Sequence, residues 1–568
     1  MDTAYLDQAV SDLHDHRTEW ARLPVGERIE HLTRLRAATG RVARSWVEAA
    51  VKAKGLSMDS PLSGEEWTSG PYALASGINA LEETLVRIRD GRGVLDGYRV
   101  RTRPDGQVAV RVFPVSAQDR LFLSGHTGEV WMLPGVTERT LPGTVAHFYR
   151  KAAPEGAVSL ILGAGNISSI PPLDLLYRMF VHGDVAIVKL NPVSEYLGEF
   201  FEEIFAPMVD AGWVRFAYGG GDVGSYLAYH DAVANIHITG GAHTHDAIVF
   251  GRGDEAIANK KANQAILGKP MTSELGGVGP TIVVPGRWTD ADLHHQAAHI
   301  VTQKLHNSGF NCVASQVIVL PKHWDQADAL LDAIVGVIES LPGRDAYYPG
   351  AERRLLDAIA AHPEAEIVSF GDGTVPLIRD VDPDGPNRYC FTHEFFGPVL
   401  ATTRLPGDSP AEFLANAVAF SNHALAGTLG AGILIDPATA RANAATLERA
   451  VADLEYGTVA VNTWTAVGYA MPRATWGGFP GATLRSIDSG IGVVHNALMF
   501  DQAQKTVVTG AFTPFPRSLG RGERHTEPKP PAFVTNRSAA IVGERLTRQA
   551  VSGKWRDLPG IVTAAMRG

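Results

Sequence analysis

The chain has 568 residues, 45% hydrophobic and 20% charged, with a net charge of −10 at pH 7. That balance fits a globular protein of about two to four domains, and no basic stripe argues for nucleic acid as a partner. Two cysteines cannot build a disulfide framework, no apolar run is long enough to span a bilayer, and Met1–Asp7 lacks the basic start and apolar block of a signal peptide, so a cytoplasmic location is expected.

Residues 1–92 read as helices, with apolar positions at helical spacing in Arg28–Leu35 and Ser76–Ile88. Residues 93–150 switch towards a period of two. Gln107–Val112 alternates between turn signals at Pro104-Asp105-Gly106 and Gly125-His126-Thr127-Gly128, which predicts hairpins. From 151 to 273 the rhythm is strand–helix–strand. Ala157–Leu162 and Asp184–Lys189 read as buried parallel strands, Pro171–Val181 and Glu195–Val209 as helices, and Trp213–Ala217, Val223–Tyr229 and Ile236–Thr239 continue the alternation. A second α/β region spans 274–456, with strands at Thr281–Val284, Val317–Leu320 and Gly430–Leu434 and helices near Ala291–Leu305 and Asp325–Ile338. Residues 457–500 are glycine-rich with interspersed aromatics. Residues 501–568 form a C-terminal extension, proline-rich up to Pro531, with a last helix near Ala539–Ser552.

Chemistry concentrates at three places. Cys312 closes Asn307-Ser308-Gly309-Phe310-Asn311-Cys312, and Glu274 opens Glu274-Leu275-Gly276-Gly277. A thiol and a carboxylate, each beside residues that let backbone approach closely, suggest a nucleophile with a separate acid/base group. A lone cysteine is otherwise an ordinary buried hydrophobe. Asn166 ends a strand at the crevice where open sheets bind ligands, and its amide could donate to a developing oxyanion; as a turn residue it would equally be unremarkable. Gly163-Ala164-Gly165 follows a strand but lacks the third glycine and the acidic residue of a dinucleotide fingerprint, because the next strand ends at Lys189.

In this order the motifs resemble the aldehyde dehydrogenase superfamily over about residues 150–500. Asn166 stands where that family has the asparagine of Pro-Trp-Asn-Phe-Pro, Val188-Lys189 resembles its Val-Leu-Lys-Pro strand end, and Ile236–Gly241 resembles Ile-x-Phe-Thr-Gly-Ser. Glu274–Gly277 matches Glu-Leu-Gly-Gly, Asn307–Cys312 matches Asn-x-Gly-Gln-x-Cys with Phe310 in the glutamine place, and His393–Val399 resembles Glu-Glu-Ile-Phe-Gly-Pro-Val. Leu425–Gly430, Gly457–Asn462 and Trp476-Gly477-Gly478 continue the series.

The resemblance implies an α/β fold of two doubly wound, Rossmann-like domains plus a β-hairpin oligomerisation region. It implies Cys312 as nucleophile, Glu274 as the base for water and Asn166 as an oxyanion donor. It implies a cofactor, NAD or NADP, held by Lys189, Thr239, Gly240, Gly241, Glu394 and Phe396, with no metal, acting on a small-molecule aldehyde in a homodimer or homotetramer. Family analogy also brings part of Thr458–Pro480, with Trp464, Tyr469 and Trp476, near the substrate channel.

Three departures bear on the cofactor. Pro192 stands where the family often has a ribose-binding glutamate, and the nearest glutamate is Glu195. His245 replaces a glycine in the turn after Gly240. The stretch from Thr239 to Glu274 is longer than usual, with Gly251–Asp254 read as an extra loop. The alternatives are a CoA-dependent acylating enzyme of the same fold and a non-catalytic derivative of it. Glu274 favours water as the acyl acceptor, since a base beside a thioester promotes its hydrolysis.

Overall fold

The computed structural model describes residues 3–116, 119, 125–523 and 525–568. Residues 117, 118 and 120–124 of the region expected to form hairpins lie outside these residues. The fold is α/β and is built on two sheets. The smaller has six strands in the spatial order Gly490–Ile491, Met271–Leu275, Asn235–Gly240, Val158–Leu162, Val185–Lys189 and Val214–Ala217. All neighbours are parallel except the short edge strand Gly490–Ile491. Strand order reverses between Val158–Leu162 and Asn235–Gly240. In an open α/β sheet the crevice at the carboxyl ends of such a pair is where ligands bind. Val158–Leu162 and Val185–Lys189 are buried along their whole length, which explains why they are apolar apart from Ser159 and Lys189. Helix Ala4–Arg22 packs on the strands Val185–Lys189 and Val214–Ala217, and helix Val25–Ala53 packs on Ala73–Arg89 and Gly198–Asp210.

The larger sheet has eleven strands. In spatial order they are Arg99–Thr102, Val108–Phe113, Thr127–Met132, Ala503–Thr509, Thr458–Val461, Gly430–Leu434, Gly279–Val283, Ser315–Pro321, Leu400–Leu405, Gly373–Ile378 and Glu366–Phe370. Its middle is parallel and each end is antiparallel. Thr127–Met132 is paired on both sides within its own chain, to Val108–Phe113 and to Ala503–Thr509. The hairpin region, expected as an oligomer interface, therefore extends the large sheet of the same chain, leaving Arg99–Thr102 and Glu366–Phe370 as its edges.

The chain boundary set at 273/274 by sequence runs through a strand. Met271–Leu275 belongs to the small sheet, and the chain enters the large sheet at Gly279. Glu274 thus sits at the carboxyl end of one sheet, a few residues from the amino end of a strand in the other. Two local expectations also change. The segment read as a helix from Glu195 begins as a tight turn, Pro192–Leu197, capped by the Asn191 side chain on Val193 N, and the α-helix is Gly198–Asp210. The extra loop leads into an exposed helix, Gly253–Ala262, with Asp254 and Glu255 in its first turn and Lys260 and Lys261 in its last, charges that complement the helix dipole.

The proline-rich arm packs back on helix Asp290–Leu305. Gln296 Nε2 donates to Phe512 O, Val534 N donates to Thr302 Oγ1, and Phe533 stacks on the rings of His295 and His299. Among the described residues no helix is long and apolar enough to cross a membrane, and no group of three or more His, Cys, Asp or Glu is arranged to hold a metal ion.

Candidate active site

Cys312 is positioned by the end of a helix. Asp290–Leu305 starts with a capping box between Thr289 and Asp292 and stops at a turn in which Asn307 and Ser308 are left-handed. Left-handed backbone is costly for residues with a Cβ and persists where surroundings hold it. Here they do. Asn307 N donates to Glu65 Oε2 at 3.0 Å, and Asn307 Oδ1 accepts from Lys54 Nζ at 2.9 Å and from Tyr347 OH at 3.0 Å. The Asn307 amide donates to Asn166 O and Phe310 O at 3.0 and 3.1 Å. Lys54 pairs with Glu66 at 2.6 Å, and Arg344 makes a two-point pair with Glu65 at 3.0 and 2.9 Å. Burial works against charge on both Lys54 and Glu65, but their partners prevail: Glu66 raises Lys54, and Arg344 holds Glu65 down at about 2. Paired charges of this kind satisfy one another where a single one would be expensive.

The same network fixes Asn166, whose carbonyl also accepts from Lys54 and from Tyr347 at 3.2 Å each. Asn166 Nδ2 donates to Phe310 O at 2.9 Å, two residues before the cysteine. A carboxamide has two N–H donors, so the second remains for another acceptor.

Cys312 is half-buried, and its sulfur lies 3.9 Å from Glu274 Oε1. Burial pushes the thiol well up, with Glu274 and Glu394 adding to the effect, while the backbone N–H groups of Cys312 and Val313 oppose it. Glu274 is itself buried. Desolvation first, and Asp174 second, raise its carboxyl to about 8, against hydrogen bonds from Trp476 and Cys312. Trp476 Nε1 donates to Glu274 Oε1 at 2.5 Å, and Glu274 Oε2 is buried without a partner. Of the three aromatics singled out by sequence, Trp476 therefore touches Glu274. Trp464 Nε1 donates to Val313 O at 3.0 Å, next to Cys312, and Tyr469 bonds Ser169 at 3.1 Å. All three use a polar tip where the sequence showed only an aromatic body.

The residues assigned to a cofactor divide into two groups. Lys189, Thr239, Gly240 and Gly241 lie at the carboxyl edge of the small sheet, with both glycines exposed at its switch point. A side chain built at Gly241 would meet nothing within 4 Å. Lys189 is lowered by burial and supported by the nearby carboxylates of Glu195 and Asp222. The Glu195 carboxylate is fixed by Gly219 N at 2.5 Å. Glu394 and Phe396 lie on the side of the large sheet. Glu394 Oε1 is buried without a partner, and a Cβ at Gly276 would come within 2.0 Å of it. Burial raises Glu394 to about 7, opposed by Lys304 and Arg354. Phe396 packs with Phe310, Tyr347 and Tyr348 into an aromatic cluster that the sequence did not reveal. An acceptor left open beside a glycine, with a lysine and bare glycines at the opposite end, fits a dinucleotide's ribose hydroxyls and pyrophosphate.

Lys54, Glu65, Glu66, Arg344, Asp174 and Lys304 were missed by sequence reasoning. None carries a local motif, and in the sequence each is an ordinary charged position on a helix or loop.

Known proteins resemble this chain in sequence and in fold. Residues 136–353 match the aldehyde dehydrogenase family. N-succinylglutamate 5-semialdehyde dehydrogenase 1 of Caulobacter vibrioides is 28% identical over 276 residues, 45% of this chain and 52% of that protein. An NADP-dependent succinate-semialdehyde dehydrogenase of Mycolicibacterium paratuberculosis is 28% identical over 233 residues, 37% of this chain and 43% of its own. The chain thus spans about half the length of the curated relatives it matches. NADP-dependent glyceraldehyde-3-phosphate dehydrogenase from Bacillus halodurans, solved with NADP, superposes with a TM-score of 0.57 at 20% identity, covering 90% of this chain and 92% of the other. At that identity the superposition establishes the fold. Residues 136–353 are thus similar to the aldehyde dehydrogenase family, and the chain shares the fold of that solved dehydrogenase.

Proposed function

We propose that this protein oxidises a small aldehyde to a carboxylic acid with NAD or NADP. The observation that carries the reading is the convergence of Cys312, Glu274 and the Asn166 amide from three separate segments. Cys312 would attack the aldehyde carbon, its proton passing to Glu274, to give a thiohemiacetal. The free N–H of Asn166 and a backbone N–H would hold the oxyanion; one such donor is typically worth about 3–4 kcal/mol in the transition state. Nicotinamide, held by Glu394 and Phe396 with Lys189 and Thr239–Gly241 at the adenine end, would supply the hydride acceptor. Glu274, having lost the thiol proton, would then take a proton from the water that attacks the Cys312 thioester, releasing the acid and restoring the sulfur.

Such a base works as the carboxylate. With its carboxyl raised to about 8, Glu274 carries its proton below that pH and is free to act above it. Release of the acyl group is therefore expected to accelerate as pH rises through 8.

The test is a panel of aldehydes with each nucleotide, with and without CoA, followed at the absorbance of reduced nicotinamide. Wild type should turn over without CoA, and Cys312→Ala should be silent. Glu274→Gln should accumulate an acyl adduct on Cys312, visible by intact mass. Turnover only when CoA is present would establish the acylating alternative, which lacks the need for a water-activating base. Assembly as a homodimer or homotetramer, expected from the resemblance, is measured by sedimentation of the full chain.

A further inference from the structure

The proposed cycle gives Glu274 a proton that must leave before it can activate water, and Trp476 and Cys312 offer it no exit. A second carboxyl lies on the other side of Glu274's neighbour. Thr239 and Glu274 are register partners on adjacent parallel strands, so their side chains stand on one face of the small sheet. Asp174, from helix Ile170–Tyr177 packed over that face, accepts from Thr239 Oγ1 at 3.0 Å through Oδ2. Asp174 is 1% exposed, and its Oδ1 is buried without a partner, as is Glu274 Oε2. Two buried carboxyl groups, each with an open oxygen, are thus linked through Thr239: Asp174 bonds its hydroxyl, and Glu274 is its register partner on the next strand.

We propose that Asp174 is a positioning residue for Glu274, its charge setting when the base holds and when it gives up its proton. The inference rests on the reading of Glu274 as the base. Like charges in one enclosed site cannot both be carried cheaply, so one carboxyl keeps a proton while the other is ionised. Polar groups of the fold gather around Asp174. His237 Nε2 lies 3.6 Å from its Oδ2, and Thr239 donates to the same oxygen. Arg178, further along the same helical stretch, reaches Thr272, which bonds His237. His495, on a separate short strand, is held by burial at about 4 and is neutral above that. Of the groups that act on Glu274 or feel its charge, Asp174, Trp476, Cys312 and Tyr469, none is a cation.

Activated esters test this without nucleotide. p-Nitrophenyl acetate acylates a reactive cysteine directly, and steady-state release of p-nitrophenol then reports hydrolysis of the acyl-enzyme. In wild type the deacylation rate should rise with pH on one ionisation with a midpoint near 8. Asp174→Asn should move that midpoint down by about one unit or more, and Asp174→Glu should restore it most of the way. A midpoint unchanged in a folded Asp174→Asn protein overturns the proposal. Should that variant fail to fold, Thr239→Val removes the hydroxyl that donates to Asp174 Oδ2 and is expected to shift the midpoint in the same direction; no shift there overturns it equally. Absence of any Cys312-dependent burst in wild type would instead count against the catalytic reading itself.

Discussion

The two sheets are built on the same rule and use it differently. Each has a point where strand order reverses, and each therefore has a crevice at the carboxyl ends of two parallel strands. In the small sheet that crevice opens onto Gly240 and Gly241, exposed and without side chains. In the large sheet the corresponding place, beyond Gly279–Val283 and Gly430–Leu434, is filled by the chain itself. Trp288 packs edge-on against Trp324 and Phe512, Trp324 Nε1 donates to Gly286 O, and Asp436 occupies the space a side chain at Gly286 would need. The large sheet offers its opposite edge to the site instead, since Cys312 precedes the strand Ser315–Pro321. A doubly wound sheet thus provides a place for a ligand, and the side chains at the switch point decide whether it is a seat or a seam.

That contrast can be broken from either side. The largest effect is expected at the filled crevice. Trp288→Ala should cost about 3–5 kcal/mol in denaturant unfolding, as large-to-small core changes do, while calorimetric titration finds nucleotide affinity unchanged. Next comes the open side. Gly276→Ala places a methyl group against the Glu394 carboxylate and should weaken nucleotide binding by about 2–3 kcal/mol, the scale of a lost hydrogen bond to a charged group, with unfolding free energy little altered. The smallest effect is expected at the adenine end. Glu195 and Asp222 place negative charge beside Lys189, which disfavours a 2′-phosphate. Glu195→Gln should raise the affinity for NADP relative to NAD by about 1 kcal/mol or less, the range of a part-exposed charge interaction. Equal loss of both affinities would mean that Glu195 serves the loop through Gly219 and takes no part in nucleotide choice.

Much of the architecture is legible in the residues. The buried strands Val158–Leu162 and Val185–Lys189 announce themselves as short, mostly apolar runs, and the helix before Cys312 was expected near Ala291–Leu305, where it stands as Asp290–Leu305. The hairpin Glu366–Ile378 was not legible, because Glu366–Phe370 is mostly exposed and its partner strand contains Pro376. The final helix Leu558–Ala565 was likewise too short to separate from the tail.

At the site, chemical type was written locally: a thiol after Asn307–Asn311, a carboxylate before two glycines, an amide at a strand end. Local sequence also specified the turns around them, since glycine, proline and asparagine control backbone angles within a few residues. What only the tertiary structure decided is which groups those residues meet. Lys54 reaches Asn307 across 253 positions and Trp476 reaches Glu274 across 202. A hydrogen bond depends on distance in space, and burial strengthens the interactions between the groups it encloses while penalising charge left unpaired. The protonation of Glu274, the hold on Asn307 and the company of Asp174 are therefore properties of the folded interior, which no spacing along the chain encodes.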